Sequence, residues 1–267
     1  RLLHHLKQNK FRIMKKIACI FLIFFSCFLF IFAQEKTVGE LNDLAVEYYK
    51  SGAFDKAIDC YKSILGENGE SAEVYYNLGN AYYKKNDVAH SILYYERALL
   101  LDPSMKDALH NLILANARTQ DKIDEIPTFF LTSWWNALSS LADTDTWARC
   151  SLIFFFVFII CVFVYFFSKK VIARKVGFYT GLLMLFLCIN VYFLANTQKN
   201  KLEERNFAIV MSPSVTVNST PDEQGTKLFV LHEGVKVKII STLGLWVEIK
   251  LSDGSIGWLK SSDIEII

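Results

Sequence analysis

Apolar residues in this chain gather in three long blocks, and between the blocks they recur at helical or strand spacing. The blocks are residues 14–33, 150–168 and 176–195, and the second and third contain no charged side chain. About 20 apolar residues is what an α-helix needs to cross the hydrocarbon core of a bilayer, so these two predict a pair of membrane spans. The first block opens Met14-Lys15-Lys16, runs apolar and ends at Ala33. A basic start, an apolar middle and a small final residue make a secretory signal, with cleavage expected after Ala33 and retention as an anchor the alternative. Residues 1–13 then read as an extension upstream of the true start. The turn at 169–175 holds Lys169, Lys170, Arg174 and Lys175 and no acid. Such a turn belongs in the cytoplasm. A signal that exports residues 34–149 gives the same orientation independently.

Between residues 38 and 119 the pattern repeats itself. Leu41, Leu44, Ala45 and Tyr48 reappear 34 residues later as Tyr75, Leu78, Gly79 and Tyr82. Ala57, Tyr61, Ile64 and Gly69 reappear as Ser91, Tyr95, Ala98 and Pro103. The small residues Ala45, Ala57, Gly79 and Ser91 permit close helix contact, and the large ones fill the space between hairpins. Residues 106–119 continue the first-helix pattern with Leu109, Leu112 and Ala115, but no second helix of this kind follows, so they predict a capping helix. The period and the L-x-x-[AG]-x-x-Y signature resemble the tetratricopeptide repeat (TPR) family. That resemblance implies a partner-binding groove lined by Asn42, Val46, Tyr49 and Lys50, by Tyr76, Asn80, Tyr83 and Lys84, and by His110. A merely solvated polar helix face is the other reading of these residues. The basic positions do not make up the complete carboxylate clamp of chaperone-binding relatives.

Residues 120–147 form a connector with Phe129, Phe130, Trp134, Trp135, Leu138 and Leu141 on one helical face. Such a face predicts a short helix at the membrane interface or one packed on the repeats. After the linker 196–205, residues 207–267 switch to short alternating runs, VKVKII and WVEIKL among them, separated by turn residues. The LHEG turn, LWVEI and DGSIGWLKSSDIEII resemble bacterial SH3 (SH3b) domains, with Gly234, Trp246, Gly254, Gly257 and Trp258 in structural positions. That resemblance implies a wall peptide or a protein as its ligand.

Composition narrows the function by exclusion. A net charge of +2 argues against a nucleic-acid partner. The six cysteines show no metal-ligand spacing, and all except Cys60 lie in or beside the apolar blocks. No catalytic motif is present, and His90, His110 and His232 fall in separate elements, so no enzyme activity, metal or cofactor is expected. The fold class is multidomain: all-α TPR hairpins, a transmembrane helical hairpin and a small all-β SH3-like barrel. This order of parts resembles the BatE family of Bacteroides aerotolerance (Bat) operon proteins. The resemblance implies an envelope scaffold in the bacterial inner membrane with both soluble domains periplasmic. Its implied partners are Bat membrane proteins with von Willebrand A domains and a MoxR-type ATPase, in oxidative or envelope stress tolerance. Two alternatives stand beside it: a peptidoglycan-binding factor that recruits a hydrolase through its TPRs, and an envelope stress sensor.

Overall fold

The computed structural model describes residues 39–124, 126–127 and 129–267, and its contacts divide the chain into two units at Gly69. The secretory signal and the upstream extension fall on residues outside that description. In the first unit, residues 39–50 are helical (α1) and α2 spans Phe54–Asn68. Between them the chain turns at Gly52 with φ +79°, a left-handed conformation that suits glycine. Ala45, Ala57, Tyr61 and Ile64 are buried, and the Lys56 ammonium lies 5.4 Å from the Tyr48 ring. Leu44, expected to pack, is 39% exposed.

The second unit opens with α3 (Ala72–Lys84), capped by the Ser71 hydroxyl, which accepts from the Val74 N–H. Helix α4 (Val88–Leu101) is capped by Asp87, which accepts from the His90 N–H, and α5 spans Lys106–Asn116. Gly79 on α3 sits under the Tyr95 ring of α4: a Cβ there would lie 2.6 Å from two ring carbons. Leu78, Tyr82, Ser91 and Ala98 are buried in the same hairpin, and Pro103 is half-buried after it.

Helices α6 (Phe130–Ser139), α7 (Thr144–Phe167) and α8 (Val171–Glu204) follow. The last two are long and apolar enough to cross a membrane, and most of their large side chains point outward. They approach closely because Gly177 and Gly181 face Cys161; added Cβ atoms would lie 3.0 Å from its carbonyl oxygen and 3.2 Å from its Cβ. Asn190 donates to the Phe186 carbonyl within its own helix. Residues 196–204, read from the sequence as linker, continue α8. Apolarity ends at Ala195, but Trp135 donates to Thr197 (3.3 Å) and Gln198 to the Ser139 carbonyl (2.6 Å), so α6 packs on this extension. The aromatic helix thus rests on α8, while Phe129, Phe130, Leu131 and Trp134 stay exposed.

Seven strands complete the chain: β1 (Phe207–Val210), β2 (Ser214–Asn218), β3 (Lys227–His232), β4 (Lys236–Leu243), β5 (Trp246–Lys250), β6 (Ile256–Lys260) and β7 (Ile264–Ile266). All pairings are antiparallel, in the order β3-β2-β6-β5-β4-β1-β7. Val217, Val237, Val247, Ile249 and Leu259 form the core of this sheet. Gly257 admits the crossing of β2, since a Cβ would meet Val217 at 2.5 Å.

The β-domain does not stand apart from the repeats. Ile209 of β1 and Ile267 after β7 are buried in one cluster with Ile92, Leu93, Tyr95, Leu112 and Ala115 of α4 and α5. Arg97 reaches Glu265 (3.1 Å) and the Ile266 carbonyl, and Lys236 pairs with Glu96 (2.6 Å). The connector laces the same junction. Asp121 accepts from the His232 N–H (2.7 Å) and touches its ring (2.9 Å), Ile123 packs on the β core, and the Ile126 N–H donates to Ser252. Gly234 (φ +88°) lets this happen, because a Cβ would stand 2.8 Å from Thr119. The sheet edge thereby covers the flank where the second helix of a further repeat would pack.

Candidate binding face of the repeats

The first-helix residues expected to bind a partner fall into two groups. On α1, Asn42, Val46 and Tyr49 are half-buried and Lys50 is exposed. The Tyr49 ring meets Phe54 edge-on at 5.5 Å. On α3, Tyr76 and Tyr83 are half-buried and Lys84 is exposed, and His110 is exposed on α5. Asn80 has more to do than face a ligand. Its side-chain oxygen accepts from the Tyr95 hydroxyl (2.8 Å) and from the Asn111 amide (2.8 Å), which also lies 3.5 Å from the Tyr76 hydroxyl. Asn80 therefore braces α3 against α4 and α5, a structural role not anticipated for it.

One basic residue escaped the sequence reading although its signal was present. Arg118 follows Lys84 by 34 residues, as Lys84 follows Lys50, and so extends the same position one repeat further. Its guanidinium lies 5.0 Å from the Tyr83 ring centroid and donates to Asn86. Tyrosine rings under a cation, with amide groups nearby, form a face that suits a polar or acidic peptide segment.

The opposite end of α3 is tied to α8. Tyr75 donates to Glu70 (2.9 Å), and Arg205 also donates to Glu70. The Arg205 hydrogen bond holds the Glu70 carboxyl below the usual carboxylate range. Burial, then the Glu70 carboxylate, pushes the Tyr75 phenol up to about 12. In the β-domain, Trp246 and Trp258 are half-buried on β5 and β6, and Lys260 lies 5.9 Å from the Trp246 ring. Gly254 (φ +90°) turns the chain before β6, and Leu243 and Leu245 project at 60% and 76% exposure beside the β4–β5 turn. Two further histidines are engaged within the fold: His90 stacks on Tyr82 (4.7 Å) and contacts Asp87, and His232 holds Asp121.

Comparison with known proteins matches this architecture piece by piece. Residues 72–105 match the tetratricopeptide repeat family, residues 46–86 a TPR repeat family, and residues 213–265 the bacterial SH3 domain family. Among solved structures, the chain is similar to the second TPR of Spaghetti (RPAP3) bound to the HSP90 peptide SRMEEVD. The identity is 25% over 30% of this chain and 74% of that one, with a TM-score of 0.29. It is also similar to the Sgt2 TPR domain from Aspergillus fumigatus, at 16% identity over 64% of this chain and 82% of that one, TM-score 0.29. No curated protein matches. The chain thus joins tetratricopeptide repeats to a bacterial SH3 domain. These are the parts of a protein that binds other proteins or the cell wall.

Proposed function

We propose that this protein is a membrane-anchored interaction scaffold of the bacterial cell envelope and performs no catalysis. The observation that carries this reading is the joining of two ligand-binding folds, through β1, β7, Thr119, Asp121, Ile123 and Ile126, next to two apolar helices whose large side chains are mostly exposed among the described residues. In this reading α7 and α8 cross the inner membrane, the Lys169–Lys175 turn lies in the cytoplasm, and both soluble domains stand in the periplasm. The face built on Tyr76, Tyr83 and Arg118 holds a partner segment, and Tyr49 occupies the position of Tyr83 one repeat earlier in the sequence. The part order further favours a Bat-type complex, with von Willebrand A membrane proteins as partners and a MoxR-type ATPase inside. The exposed Leu243–Leu245 tip and the half-buried Trp246 favour a second reading, in which the β-domain touches peptidoglycan. Binding of the purified protein to isolated wall, lost on Leu245→Asp, would favour that second reading.

Two experiments test the scaffold reading. In a cysteine-free background, an impermeant thiol reagent applied to intact spheroplasts should label Ser261→Cys and leave Ala173→Cys unlabelled. The reverse labelling would overturn the orientation. Tyr49→Ala combined with Tyr83→Ala should reduce co-purification of partners from membranes at least a hundredfold, because aromatic anchors carry several kcal/mol of interface energy. A folded double variant that keeps all its partners would remove the face from consideration.

A further inference from the structure

Beside the extension of α8, the β-domain, α4 and α5 border an open cavity of about 620 Å³. Its walls are apolar, with Leu99, Leu100 and Leu109 from the repeats and Phe207 and Ile267 from the β-domain. Its rim is cationic, with Lys201, Lys236 and Lys238 set against Glu96 and Glu204. The acids are already engaged: Glu96 pairs with Lys236 at 2.6 Å, and Glu204 accepts from the Asn206 amide at 3.2 Å. Lys201 and Lys238 form no ion pair among the described residues.

The position of the cavity selects its occupant. Ser140 and Gln198 line the side nearest the apolar stretch of α8 that ends at Ala195. At about 1.5 Å per residue, Lys201 stands roughly 9 Å beyond that end. The headgroup layer adds about 5–8 Å on each side of the hydrocarbon core, so a lysine ammonium there reaches the phosphates. An apolar wall with two unneutralised ammonium groups matches a ligand that is anionic at one end and greasy at the other.

We propose that this cavity binds the headgroup phosphate of an anionic phospholipid, with Lys201 and Lys238 on the phosphate and the acyl stem running past Leu109 and Gln198 towards the apolar stretch of α8. The inference rests on the reading of α7 and α8 as membrane spans. That reading has its own check: the protein should stay with membranes after alkaline carbonate extraction, and its release would overturn the spans whatever lipid it binds.

The site itself is tested by native mass spectrometry of the purified full chain titrated with phosphatidylglycerol or phosphatidylcholine. One phosphatidylglycerol should be retained per chain, with at least a tenfold preference over phosphatidylcholine. Lys201→Gln with Lys238→Gln should abolish that preference while the melting temperature holds. Lys227→Gln with Lys260→Gln, which removes two exposed lysines of β3 and β6 that do not line the cavity, should leave the preference intact. A preference that survives the Lys201/Lys238 pair overturns the proposal. Displacement by millimolar inorganic phosphate with no lipid preference also overturns it, since the site would then hold a soluble anion.

Discussion

Replacing Gly79 by alanine should destabilise the repeats, although alanine is the better helix former by about 1 kcal/mol. The sign follows from geometry. Even the single added carbon would stand 2.6 Å from Cδ1 and Cε1 of Tyr95. That ring is 1% exposed and its hydroxyl is bonded to Asn80, so it has no free direction in which to retreat. Overpacking of this kind costs about 1–3 kcal/mol and should outweigh the helical gain. Gly79→Leu adds three more carbons and should prevent the α3–α4 hairpin from closing. Asn80→Ala, next to it, removes the acceptor of both Tyr95 and Asn111 and should cost about 1–3 kcal/mol rather than the few tenths of a surface change. Urea titration of the full chain, followed by amide exchange in α3 and α4, measures all three variants. A Gly79→Ala protein more stable than its parent would show that α3 and α4 do not meet as described.

Ile209→Asp should loosen α4 and α5 although both lie far from it in sequence. Ile209 is fully buried against Ile92, Leu93 and Leu112, and the nearby cations Lys236 and Arg97 are already paired with Glu96 and Glu265, so a carboxylate there would lack a counter-charge of its own. Large-to-small changes at such sites already cost about 2–5 kcal/mol, and an unpaired charge costs more. Amide exchange in α4 and α5 should accelerate at least a hundredfold, since each 1.4 kcal/mol is a factor of ten. If the β-domain were an independent module on a flexible linker, exchange in β1, β4 and β7 would change and α4 would not.

The parts of this architecture that were readable from sequence are those fixed by local packing. Two helices can touch only where small residues such as Gly79 and Ser91 recur, so the period of 34 is visible. A sheet with one solvated face alternates, so VKVKII and WVEIKL announce strands. The junction of the domains was harder to read, because it depends on pairings far apart in the chain. Its trace is the unbroken run Ala208-Ile209-Val210, where alternation fails because both faces of β1 are covered. Ile123 in the connector is a similar trace, an apolar residue in a polar stretch that docks on the β core. The extension of α8 was missed for a different reason: hydropathy reports the solvent around a helix and says nothing about whether the helix continues. In the candidate face, the tyrosines follow from the period, but the bracing role of Asn80 depends on Asn111, which occupies a different position of the repeat.

Helix α8 runs 34 residues without a break, roughly 51 Å at 1.5 Å per residue, against a hydrocarbon core of about 30 Å. Beyond it comes a single left-handed residue, Arg205 (φ 34°), held by Glu70, and then β1 follows directly after Asn206. There is no slack between the span and the β-domain. In mechanical terms α8 is a stalk and not a tether: a tilt or piston stroke at its Val171 end becomes a lever movement at the sheet edge that grips α4. Force applied to the soluble domains travels back along the same shaft to the basic turn.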